Sequence, residues 1–88
     1  MLVVLRMLHY TTYNHESSQE WVTFVHGAGG SSSIWYKQIR EFSKHFNVLL
    51  LDLRGHGKSK APIHKKLKSY SFNVIGDDII QVLDHLKI

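Results

Sequence analysis

The protein has 88 residues, 43% hydrophobic and 20% charged, with 6 Gly, 1 Pro and no Cys. These proportions fit one globular domain with a modest core, and the missing cysteine excludes disulfides, thiolate metal sites and a Cys nucleophile. The net charge of +4 is local: Lys58, Lys60, Lys65, Lys66 and Lys68 lie in the acid-free stretch between Asp52 and Asp77, and taking those five from the 11 basic residues leaves 6 against 7 acids.

Met1 to Thr12 is rich in β-branched, aromatic and aliphatic residues and predicts one or two short strands. Its Leu2-Val3-Val4-Leu5 run is cut by Arg6 and falls short of a signal-peptide core of about 7–15 residues. No run approaches the roughly 20 apolar residues of a membrane span, so the expected location is the cytoplasm, with no membrane partner. Asn14 to Gln19 is polar and turn-like. Trp21–Val25 reads as a short apolar strand that breaks into His26-Gly27-Ala28-Gly29-Gly30-Ser31-Ser32-Ser33.

A helical pattern follows, because Trp35, Ile39, Phe42 and Phe46 recur at spacings that share one face. The serines before Ile34 are expected to cap its start, and Lys44 and His45 to meet the negative end of its dipole. Val48 to Leu53 is a nearly continuous apolar run, the pattern of a strand buried on both faces. Arg54-Gly55-His56-Gly57 breaks it, and the lysine segment around Pro62 reads as a solvated loop. Its basic residues are not interleaved with stacking aromatics along a groove, so no nucleic-acid partner is expected. Phe72, Ile75, Ile79, Val82 and Leu86 then predict a second amphipathic helix with Ser71 as cap. The order strand, glycine loop, helix, buried strand, loop, helix is a right-handed crossover followed by half of another. The fold class is α/β, with an open sheet.

The glycine loop after Trp21–Val25 is the strongest chemical signal. Bare backbone N–H groups at the carboxyl end of such a strand serve either a phosphate or an oxyanion. Gly27-Ala28-Gly29-Gly30-Ser31-Ser32 has two glycines of a dinucleotide fingerprint, with Ser32 in place of the third and Asp52 20 residues on. The predicted helix starts after the glycine run rather than inside it, which counts against that reading. No His pair has helical metal-ligand spacing, and no metal site or cofactor is expected.

His26-Gly27-Ala28-Gly29-Gly30 after one strand, Trp35 beyond it, and Asp52-Leu53-Arg54-Gly55-His56-Gly57-Lys58-Ser59 after the next strand resemble the N-terminal part of an α/β-hydrolase-fold enzyme. The likeness covers roughly Leu8 to Ile88, and its Gly-Gly-Ser-Ser-Ser-x-Trp form looks closer to esterases, lactonases and carbon–carbon hydrolases than to epoxide hydrolases. The resemblance implies that Ala28 offers its N–H to an oxyanion hole, with Gly29 as second choice. It implies that His26, Gly27 and Gly30 shape the loop, with His26 a hydrogen-bonded structural histidine. Asp52, Arg54, Gly55, His56 and Gly57 would brace the neighbouring loop, Arg54 pairing with Asp52 or with backbone carbonyls. Trp35 is read as a core aromatic near the pocket mouth.

Ser59 falls one residue short of Gly-x-Ser-x-Gly, but neither a directly preceding strand nor a following helix makes it a nucleophile elbow. No Gly-x-Ser-x-Gly occurs in the 88 residues. The expectation is therefore an N-terminal fragment, 1–88, of a single hydrolase domain acting on a small-molecule ester or related carbonyl substrate. Its Ser nucleophile would lie beyond Ile88, and the chain alone would be inactive. Two alternatives remain: a non-catalytic binding or complementation module, self-associating through an exposed sheet edge, and a dinucleotide-binding fragment.

Overall fold

Five consecutive buried residues, Asn47–Leu51, form the central strand of a three-stranded sheet. A computed structural model describes residues 7–61 and 70–88. Within them, β1 spans Tyr10–Tyr13, β2 Trp21–Val25 and β3 Asn47–Leu51. A 3₁₀ turn over Ser32–Trp35 leads into α1, Tyr36–Phe42, and α2 spans Phe72–Leu86. The strand order is β1-β3-β2, with β3 parallel to β2 and antiparallel to β1. The first predicted strand thus appears as β1, and residues 1–6 lie outside the described ones, as does the 62–69 part of the lysine segment.

The uninterrupted apolar run of β3 is explained by cover on both faces. Leu49 and Leu51 pack with Leu8 and Val82, joined by Trp21 from β2 and by Ile79, Leu83 and Leu86 from α2. Residues alternate sides along a strand, so Phe24 belongs to the other face. There its ring meets Trp35 at 5.0 Å and Phe42 at 5.3 Å. The sheet therefore lies between the α1 and α2 layers, and the crossover from β2 to β3 delivers both loops that follow these strands to one end.

Two predicted helix details change. The serines do not cap the first helical segment; Ser31 Oγ meets Ser33 Oγ instead. Asp52 Oδ1 accepts from the Ser32 N–H at 2.7 Å and does the capping across 20 residues of sequence. The helix also stops at Phe42, so Lys44 and His45 lie past its end and pair with Glu41. The α2 prediction holds, including Ser71 Oγ accepting from the Val74 N–H at 3.2 Å. Phe72 is the exception on its apolar face. It is 93% exposed, outside the core that Ile79, Val82 and Leu86 join, and it borders a cleft.

Candidate active site

Both glycine-containing loops leave the carboxyl ends of parallel strands, where open α/β sheets place their ligands. The first reverses direction over Gly27–Gly30, closed by the Gly30 N–H on the Gly27 carbonyl at 3.1 Å. Gly29 sits at φ +82, a region open to glycine with little strain. His26 is only 3% exposed and fully engaged. Its Nε2 accepts from the Leu53 N–H at 3.0 Å, which leaves Nδ1 to donate to the Gly27 carbonyl at 2.7 Å. His56 is built the same way. Its Nε2 accepts from the Gly29 N–H at 2.9 Å, and Nδ1 donates to the Arg54 carbonyl at 2.9 Å. The two imidazoles stand 5.1 Å apart.

This arrangement separates the two candidate oxyanion donors. The Gly29 N–H is consumed by His56, so the second-choice donor is unavailable. The Ala28 N–H has no hydrogen-bond partner among the described residues. Ala28 borders a largely apolar cleft of about 560 Å³, walled by Leu53, His56, Tyr70, Phe72 and Ile75. A second cleft of about 410 Å³, bordered by Leu8, His9, Lys58 and Lys60, touches no residue of the glycine loop.

Asp52 is 3% exposed and braces both loops. One carboxylate oxygen accepts from the Ser32 N–H at 2.7 Å and the other from the Lys58 N–H at 3.1 Å, while His9 Nδ1 lies 3.4 Å away. Burial alone would raise its pKa. The two N–H bonds and the nearby His9 outweigh that and hold it below the usual carboxylate value. Gly57 makes the approach possible: it sits at φ +50, and a Cβ there would fall 2.5 Å from the Asp52 carboxylate carbon. Gly55 lies beneath the Tyr70 ring. Ser59 donates to the Asp52 carbonyl and accepts from the His9 N–H, so its hydroxyl is structural.

Arg54 does not pair with Asp52. Its guanidinium reaches α2 instead, donating to both oxygens of Asp78 at 2.6 and 2.8 Å, which raises its pKa further. The physical reason is that Asp52 is already turned inward onto backbone N–H groups. Trp35 is packed on Phe24 and stays out of the cleft wall. Sequence reasoning missed Asp78, Tyr70 and Phe72 as neighbours of these loops; the only signal was two aromatics closing the lysine segment. Among the described residues no three His, Cys, Asp or Glu side chains come together as a metal site.

The dinucleotide reading loses its structural basis. Asp52 would have to face a ribose, yet it caps the first helical N–H itself. A phosphate placed there would meet a carboxylate.

Two loops at the carboxyl ends of parallel strands, with helices on both faces of a mixed sheet, define an α/β scaffold with its candidate site at the strand ends. The family model described as the alpha/beta hydrolase fold matches residues 20–88, and the chain belongs to that family. It is 33% identical over 81 residues to 3-oxoadipate enol-lactonase 2 of Acinetobacter baylyi, covering 92% of the chain and 28% of that protein. Among solved structures, the enol-lactonase of Burkholderia xenovorans LB400 matches with TM-score 0.80 and 34% identity, over 92% of this chain and 30% of that one. An F128A mutant of the Bacillus megaterium epoxide hydrolase matches with TM-score 0.75 and 40% identity, over 90% and 26%. The chain spans less than a third of the length of each.

Proposed function

We propose that this chain provides the oxyanion-hole loop of an α/β-fold hydrolase that acts on a small-molecule ester or lactone through a Ser nucleophile supplied by residues outside these 88. One observation carries the reading: among the described residues the Ala28 N–H has no hydrogen-bond partner while the next N–H, of Gly29, is held by His56, and Ala28 borders an apolar cleft. Attack on an acyl carbon concentrates charge on one oxygen, and a donor fixed in advance stabilises that charge without reorganising. A backbone donor needs no side chain, and Ala leaves space for the substrate. The likeness to two enol-lactonases favours a carbonyl substrate.

The 40% identity to an epoxide hydrolase supports a second reading, in which the same loop serves an epoxide. A chimera separates the two. Residues 1–88 replace the matched segment of the Burkholderia xenovorans enol-lactonase, and turnover of an enol-lactone, a p-nitrophenyl ester and an epoxide is compared. Lactone and ester turnover is the expected outcome, whereas turnover of the epoxide alone would favour the second reading. The 88 residues by themselves should neither hydrolyse the ester nor take a fluorophosphonate label. Labelling would contradict an external nucleophile.

A further inference from the structure

We infer that His26 and His56 form a reciprocal clasp that aims the Ala28 N–H, each imidazole pinning one of the two peptide planes that flank Ala28. The aim matters for catalysis only if the oxyanion-hole reading holds, whereas the clasp itself rests on geometry alone.

Each histidine grips the opposite loop. His26 leaves the end of β2 and accepts the N–H of Leu53, beyond β3. His56 lies beyond β3 and accepts the N–H of Gly29, beyond β2. In both rings Nδ1–H is held by a carbonyl of the ring's own loop, Gly27 for His26 and Arg54 for His56. That bond fixes the ring rotation and leaves the Nε2 lone pair as the acceptor. An imidazolium has no such lone pair, so the clasp requires both rings to be neutral.

The consequence for Ala28 follows from peptide planarity. The Gly27 carbonyl and the Ala28 N–H belong to one rigid trans unit and point in opposite directions. The Gly27 oxygen accepts from His26 Nδ1 at 2.7 Å and from the Gly30 N–H at 3.1 Å. Anchoring that oxygen inward turns the Ala28 N–H outward. The next plane, Ala28–Gly29, would be free to swing, because glycine tolerates most φ values. His56 removes that freedom by holding the Gly29 N–H. His56 is therefore a positioning residue: it acts on the donor through the chain and need not touch a substrate.

The test uses the 88-residue chain labelled with ¹⁵N, with His56→Gln and His56→Leu variants. Gln places an acceptor oxygen at about the reach of Nε2, and Leu places none. The wild type should show scalar couplings across two N–H···N bonds, from Gly29 to the His56 ring and from Leu53 to the His26 ring. The Gly29 amide order parameter should fall from about 0.85 to below about 0.6 in His56→Leu and stay high in His56→Gln. Leu53, held by His26, should stay rigid in both variants and so report an intact fold. A missing Gly29 coupling, a rigid Gly29 in His56→Leu, a mobile Gly29 in His56→Gln, or loss of Leu53 order together with Gly29 would each overturn the inference. No readout involves turnover, so a failure here is distinct from a failure of the oxyanion-hole reading.

Discussion

Asp52 is the residue that joins the first helical turn to the loop after β3, through the Ser32 and Lys58 N–H groups. Because its folded pKa lies below the ordinary aspartate value, its contribution to stability is complete above that ordinary value. It is lost as pH falls through the folded pKa. Asp52→Asn keeps the shape but gives up the charge-assisted bonds, so a urea titration at pH 7 should show a loss of about 1–3 kcal/mol. The variant should also lack this group's share of the acid-side decline; an unchanged decline would contradict the bracing role. At this scale the motif residues were legible but their partners were not. Asp52 and Ser32 stand 20 positions apart, as do no two residues that a local pattern relates. Arg54 was expected on Asp52 or on backbone carbonyls, and its pairing with Asp78 had no local signal, since only the fold brings that carboxylate to it.

The elements themselves were legible wherever one face had to be buried. The apolar run of β3 and the stripe Ile75, Ile79, Val82, Leu86 of α2 were readable because periodicity and burial are the same physical demand. Phe72 was misplaced because a helical stripe records which side a residue occupies, not how far the sheet beneath it extends. At its other end α2 stops at Lys87 in the left-handed region, φ 58, with the Lys87 N–H on Asp84 and the Ile88 N–H on Leu83. A side chain there carries a steric cost that glycine avoids. Lys87→Gly should therefore stabilise the protein by about 0.5–1 kcal/mol in thermal unfolding. A destabilised variant would mean that the C-cap conformation is not the one described.

For the whole molecule, the β-helix-β order pointed to an α/β sheet, but the antiparallel pairing of β1 with β3 is a long-range choice with no local signal. What the sheet achieves is to bring two loops, one after β2 and one after β3, close enough for their histidines to exchange backbone N–H groups. That leaves the Ala28 N–H without a partner among the described residues, on a residue that borders the cleft. The lactonase chimera tests this donor most directly when Ala28 is replaced by the corresponding α-hydroxy acid, an amide-to-ester change that removes the N–H, keeps the side chain and makes the Gly27 carbonyl a weaker acceptor. The account predicts that kcat for lactone hydrolysis falls about 10²–10³-fold while the melting curve is preserved. An undiminished kcat in a folded chimera would contradict it.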